Sequence, residues 1–284
     1  MIIQITDDFD LERIAESGQC FRWERLQTGS YRILNKEFCL YAENLGNQQF
    51  FLSCGELEFD SVWRDYFDLG ENYTAIRNRI APERDPFLSS AAEQEKGIRI
   101  LRQDPWEMLI TFIISQNKNV PAIRRSVELL SEMSGEEKAD CRGLRYYAFP
   151  TPQAIVALDE EDLKACRLGY RCRYVHEAAD AVLDGRLDLN ALAHADEEET
   201  IRALTVLPGV GIKVANCISL FGLHHINAFP QDVWIKRILQ NEYPQGYPFD
   251  AYAPYNGVYQ QYMFAYYRKN NGKVPSNGLK KHPL

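Results

Sequence analysis

Leu207-Pro208-Gly209-Val210-Gly211-Ile212-Lys213-Val214-Ala215-Asn216-Cys217 sets a proline and two glycines in five residues directly before a helical run. Glycine admits backbone conformations and close approaches that a Cβ forbids. The helix that follows begins with unpaired amides and a partial positive charge. Such a turn suits an anionic oxygen, for instance a DNA phosphate. An ordinary helix-to-helix connection fits the same pattern, so the flanking residues must decide.

Lys213 stands near the positive end of that helix, where an ammonium is disfavoured and the neutral, nucleophilic amine gains. Cys217, four residues on, shares its helical face one turn away. Asp232 lies in Phe229-Pro230-Gln231-Asp232-Val233-Trp234, where an acid before a helical run reads as an N-cap. Being 19 positions after the lysine, it can face it across the hairpin, taking a proton or stabilising positive charge on an opening sugar. A solvated lysine, a buried cysteine and a plain cap are the competing readings.

Upstream, the pattern changes. Between Gly18 and Glu56 the segments CFRWERL, SYRIL, EFCLYAE and QFFLSC, separated by Thr28-Gly29, Asn35-Lys36 and Gly46-Asn47, predict an antiparallel meander. From about Phe59, spacing of three and four predicts helices near 59–80, 104–115, 120–133, 151–166, 171–184, 196–206, 212–222, 232–241 and 251–269. Strands followed by helices define the α+β class. We divide the chain into an N-terminal antiparallel sheet domain, 1–85, and a helical domain, 86–284, with the hairpin at about 197–222. Pro82 to Pro86 interrupts the first helical run, the acidic stretch from Ser134 to Asp140 reads as an exposed connection, and a disordered tail is expected from Asn270.

The 284 residues are 45% apolar and 25% charged, with no apolar run near the roughly 20 residues of a membrane span. The start shows no basic stretch followed by an apolar core, so a cytoplasmic location is expected. Seven cysteines without a CxxC pair argue against a disulfide framework, a zinc site and an iron-sulfur cluster. The formal charge of -8 conceals an asymmetry: residues 201–284 carry nine Lys/Arg against three acids. A second basic island runs from Leu163 to His176, with four cations and no acid. A nucleic-acid partner fits this segregation better than it fits the mean, and solvated faces would segregate charge in the same way.

Six segments in order complete a pattern: Ser17-Gly18-Gln19-Cys20-Phe21-Arg22-Trp23, Arg102-Gln103-Asp104-Pro105, Ser115-Gln116-Asn117-Lys118-Asn119, Leu168-Gly169-Tyr170-Arg171-Cys172-Arg173-Tyr174-Val175, the hairpin, and Phe229 to Val233. Together they resemble the 8-oxoguanine DNA glycosylases of the helix-hairpin-helix superfamily, over most of the chain. The resemblance implies a bifunctional base excision repair enzyme acting on double-stranded DNA that contains 8-oxoguanine. Lys213 matches the lysine that attacks the flipped nucleotide's sugar, forms a Schiff base and enables β-elimination; Asp232 matches the catalytic aspartate. Gly18 matches the residue whose carbonyl accepts from the lesion's N7–H. Cys217 and Phe264 match the two faces of the base pocket and Gln260 its pairing edge, although ten aromatics between Tyr243 and Tyr267 equally suit a core.

The resemblance also implies that Asn117 plugs the gap left in the duplex. Tyr170 and Arg171 would wedge the helix and contact the opposite base. Gly209, Val210 and Gly211 would donate amides to phosphate, with a monovalent cation at nearby carbonyls; no other cofactor is implied, and a monomer is expected. Two residues depart from the well-known eukaryotic pattern. Ala122 replaces an arginine that reads the opposite cytosine, which predicts relaxed opposite-base discrimination. Trp234 replaces a polar residue near the lesion's phosphate. A glycosylase for another damaged base and a non-catalytic DNA-binding hairpin are the alternatives.

Overall fold

The computed structural model describes residues 1–270. Of the tail expected to be disordered from Asn270, only Asn270 itself is described, as the C-cap of the last helix, its Nδ2 donating to the Tyr266 carbonyl at 2.8 Å; 271–284 lie outside the described residues. The α+β class is observed. Strands β1 (Ile2–Gln4), β2 (Trp23–Gln27), β3 (Ser30–Asn35), β4 (Phe38–Gly46) and β5 (Gln49–Leu52) form one antiparallel sheet in the order β1-β5-β4-β3-β2. The four strands expected between the turn signals are present. β1 is an addition: it pairs Ile2 with Phe51 at the sheet edge, and three residues are too few to show a period.

Tyr31, Ile33, Leu40, Ala42, Phe50 and Leu52 share one apolar core with Trp63 and Phe67, which follow the sheet. The run expected as a helix over 59–80 breaks in two. Helix Glu56–Glu58 passes through a π turn, Phe59–Trp63, into Arg64–Tyr66. Asp68 then turns the chain at φ 52°, and Asn72 caps a new helix, Tyr73–Arg77, by accepting from the Ala75 amide at 2.8 Å. Asp85 and Pro86 do not merely interrupt a helix but start one, Pro86–Gln94, with Asp85 as cap and the proline in the first turn. The run 151–166 likewise splits into Pro152–Val156 and Glu160–Ala165, the second opened by an Asp159/Asp162 capping box.

The acidic stretch after Ser134 is exposed, yet it forms half of a small hairpin, Glu137–Ala139 paired with Arg145–Tyr147. Asp140 holds its turn by accepting from the Arg142 and Leu144 amides at 2.9 Å, and it accepts from the Tyr41 hydroxyl of β4 at 2.7 Å. These side-chain contacts leave no periodic signal in the sequence.

In the helical half, Pro105–Ser115 is the central element: every residue from Met108 to Ile114 is buried. Helices Val120–Ser134, Cys172–Leu183 and Ile212–Phe221 surround it. Asn256–Lys269 packs against Pro86–Gln94 and Val233–Glu242. The two apolar cores interleave along the chain, since Tyr73, Ile76 and Ile80 join the helical core while Leu101 joins the sheet core. Arg99 lies between them, 1% exposed, donating to the carbonyls of Asp8 and Asp68 at 2.7 and 2.8 Å. Its guanidinium lies 4.5 Å from the Tyr73 ring centroid.

Asp68 ties this junction to the far end of the lysine-bearing helix. Its carboxylate accepts from the Tyr73 hydroxyl and Arg102 Nε, each at 2.8 Å, and lies 3.2 Å from His224 Nε2. Burial pushes the carboxyl up, but the hydrogen bond and charge of His224, with the donors Tyr73 and Arg102, more than reverse this and hold it below its usual value. A carboxyl depressed in the folded state contributes stability that is full above its unfolded value, about 4, and is lost as pH falls through the folded value. Asp68→Asn should therefore lower the melting temperature at pH 7, and the gap to the native protein should shrink as pH drops below about 4. A gap independent of pH across that range would assign Asp68 a role other than this ionised one.

Candidate active site

The hairpin joins helices Glu197–Thr205 and Ile212–Phe221. Gly209 sits at φ +79°, and a Cβ there would lie 2.4 Å from the Tyr174 ring, so only glycine fits. Leu207 and Val210 are buried, and the Val210 amide bonds to the Leu207 carbonyl at 3.0 Å. Gly211 caps the second helix with no side chain in the way, which leaves the amides of its first turn facing outward. The three backbone positions expected to meet phosphate are thus held together at one helix start.

Lys213, in the first turn of that helix, is exposed, with its ammonium nitrogen 6.0 Å from the Phe112 ring centroid. Cys217 lies one turn below it, 3% exposed. Burial pushes the Cys217 thiol up, while the charge and hydrogen bond of Lys213 pull it down; the net direction is up. Asp232 caps Val233–Glu242, its Oδ1 accepting from the Trp234 and Ile235 amides at 2.9 Å. One cleft of about 750 Å³ is lined by Lys213, Asp232 and Asn117. The pair expected to face each other across the hairpin therefore opens onto a common space, beside the expected plug.

None of the four residues expected to form the base pocket, Gly18, Cys217, Gln260 and Phe264, lines this cleft. Gly18, at φ +85°, packs against Phe264: a Cβ on it would meet the Phe264 ring at 3.4 Å. Gln260, one turn before Phe264 on the same helix, is buried and donates to the Pro230 carbonyl at 3.0 Å, two residues from Asp232. Its oxygen accepts from Gln261 at 2.9 Å, which leaves one N–H and one oxygen lone pair for a base edge. Gln103 Nε2 bridges the two halves, donating to the Gln19 carbonyl at 3.0 Å and to the Phe221 carbonyl, at the end of the lysine's helix, at 3.4 Å.

Asn117 is exposed at φ +50°. Tyr170 is 58% exposed and stands edge-on to Tyr174, 6.0 Å between centroids. Arg171 behaves differently from its neighbour. It is 5% exposed, and its guanidinium lies under the Tyr170 ring at 4.3 Å while donating to the Leu168 carbonyl at 3.0 Å and to that of Gln116. Trp234 packs edge-on to Tyr267 rather than standing free. Ala122 is exposed on the first turn of Val120–Ser134.

Gln231, Val233 and Lys236 also line the cleft and were missed in the sequence. Lys236 could have been found from its spacing: it follows Asp232 by one helical turn. Among the described residues, no group of three or more His, Cys, Asp or Glu is placed to hold a metal ion. Nor is any described helix long and apolar enough to cross a membrane.

Known proteins share this arrangement. A family model described as "8-oxoguanine DNA glycosylase, N-terminal domain" matches residues 1–109, and one described as "HhH-GPD superfamily base excision DNA repair protein" matches residues 110–244. The chain is 34% identical over 257 residues to the N-glycosylase/DNA lyase of Saccharomyces cerevisiae, covering 82% of this chain and 68% of that one. It is 34% identical over 163 residues to N-glycosylase/DNA lyase OGG1 of Arabidopsis thaliana, covering 56% of this chain and 44% of that protein. The structure of Clostridium acetobutylicum 8-oxoguanine glycosylase/lyase, in complex with double-stranded DNA containing cytosine opposite to 8-oxoG, matches with a TM-score of 0.85 and 34% identity, over 95% of this chain and 98% of that one. By both halves of its sequence and by its fold, the chain belongs to the 8-oxoguanine DNA glycosylase family of the helix-hairpin-helix base excision repair superfamily.

Proposed function

We propose that the protein is a bifunctional glycosylase that excises 8-oxoguanine from duplex DNA through Lys213 and then nicks the abasic strand. The observation that carries this reading is the cleft onto which Lys213, Asp232 and Asn117 open together. The Lys213 amine attacks C1′ of an extruded nucleotide as the glycosidic bond breaks and the base leaves with the bond electrons. Asp232, held by two backbone amides, stabilises the positive charge that develops on the sugar. The C1′–O4′ bond then opens, O4′ taking a proton as the amine loses one, to give a Schiff base that acidifies the C2′ proton, whose removal expels the 3′ phosphate by β-elimination. Backbone amides of 209–211 bind the lesion strand's phosphate, and their carbonyl neighbours suit a monovalent cation.

Recognition of the base falls to Gly18. In 8-oxoguanine N7 carries a hydrogen, so a carbonyl there accepts from the lesion but meets a lone pair in guanine, a difference of about 1–3 kcal/mol. Phe264, against Gly18, and Cys217, below Lys213, supply stacking faces.

Borohydride reduction during reaction with 8-oxoguanine duplex should give a covalent complex at the summed mass of protein and cleaved strand. Lys213→Gln should give none, and its excision rate should fall by about 10³-fold or more. Undiminished excision by that variant would sink the amine mechanism. Release of an alkylated base but not of 8-oxoguanine would instead favour a different substrate.

Ala122 offers a methyl group where a guanidinium could read a base. Single-turnover rates on duplexes with 8-oxoguanine opposite C, A, G and T should accordingly agree within about threefold, short of the roughly 5- to 150-fold that a bidentate arginine contact worth about 1–3 kcal/mol would impose. A collapse on every partner except C would overturn this expectation.

A further inference from the structure

Two loops present the side chains that would enter the duplex: 115–119, which carries Asn117, and 167–171, which carries Tyr170. Both contain left-handed backbone, with Asn117 at φ 50°, Arg167 at 60° and Gly169 at 61°. Each loop sends a cation to a carbonyl of the other. Lys118 Nζ donates to the Arg167 carbonyl at 2.6 Å and to Ser126 Oγ at 2.6 Å. Arg171 donates back to the Gln116 carbonyl. Among the described residues neither cation forms an ion pair with a carboxylate, so backbone oxygens and a hydroxyl are their partners.

The exchange encloses Asn117: its two neighbours, Gln116 and Lys118, are the residues fastened across. On the other side Arg171 supports Tyr170 from beneath at 4.3 Å, and Tyr170 meets Tyr174, which covers Gly209. A loop that had to order itself while entering DNA would lose conformational entropy at that moment; a loop already fastened does not.

We propose that Lys118 and Arg171 are positioning residues, a reciprocal clamp that fixes Asn117 and Tyr170 at the spacing needed to occupy the duplex while a nucleotide is extruded. This rests on the glycosylase reading above and adds a role for Arg171 distinct from contact with the opposite base. The clamp matters most where a stacked, paired base must be displaced, and less at a site that has already lost its base.

Lys118→Met and Arg171→Met keep the side-chain stems and remove the donors. After thermal melts establish that each variant is folded, single-turnover excision should fall by about 10–100-fold, as expected when insertion geometry loosens. For Arg171→Met the loss should be similar opposite C, A, G and T. For both variants the loss on excision should exceed the loss on cleavage of a preformed abasic duplex by about tenfold, and Lys118→Arg should recover most of the rate. The salt dependence of binding to undamaged duplex should be the same in Lys118→Met as in the native protein.

Three results would overturn the clamp. A loss confined to duplexes with cytosine opposite the lesion would make Arg171 a base reader. A salt slope smaller by about 0.9 would make Lys118 a phosphate contact. Equal losses on excision and abasic cleavage would make both merely structural. Fluorescence of 2-aminopurine placed beside the lesion reports extrusion whatever the chemistry, so failure of the clamp is distinguishable from failure of the lyase reading, which borohydride trapping by the native protein tests.

Discussion

A tyrosine ring lies where Gly209 would carry a side chain, and much of the candidate site takes its position from that contact. The ring belongs to Tyr174, on helix Cys172–Leu183, and leaves 2.4 Å to the place of a Cβ. Close packing of this kind resists gradual deformation. It sets the hairpin's register on a neighbouring helix, and so the point where Ile212–Phe221 begins and the height at which Lys213 meets the cleft. Through the same tyrosine the hairpin touches Tyr170. The backbone, wedge and nucleophile of the proposed mechanism are thereby spaced by one aromatic side chain rather than by three independent loops.

Burial divides the chemistry between two neighbours on one helix. Lys213 is in solvent, whereas Cys217 is enclosed and its thiol is pushed up by that enclosure. A thiol kept protonated is a weak nucleophile, which agrees with the roles proposed above for the amine as attacking group and for the sulfur as a soft surface. Asp232 spends both of its known hydrogen bonds on helix amides from a single oxygen, so the other oxygen can face the cleft without the side chain losing its orientation.

Much of this was legible in the sequence, for identifiable reasons. Strands β2 to β5 stand out as short apolar and aromatic segments between turn signals, and the hairpin concentrates its glycines directly before a helix. Asp232 announced itself as a cap. The helical run 59–80 misled because apolar spacing continues across Asp68, while the break depends on where that carboxylate finds buried partners. The hairpin at 137–147 was invisible because a tertiary hydrogen bond to Tyr41 holds it. Arg171 shows the same limit at the site: a motif gives the residue, but the carbonyls of Gln116 and Leu168 decide which way it points.

The interleaved cores bear on how such a chain could be recombined. Leu101 fills the sheet's interior and Tyr73, Ile76 and Ile80 fill the helices', so no single crossover point yields two self-sufficient halves. A chimera joining the sheet of one relative to the helices of another would have to exchange the strip 99–103 as a patch, keeping Arg99 and Gln103 with the carbonyls they hold. The N-terminal sheet is packed as one wall of the fold, not as a detachable module.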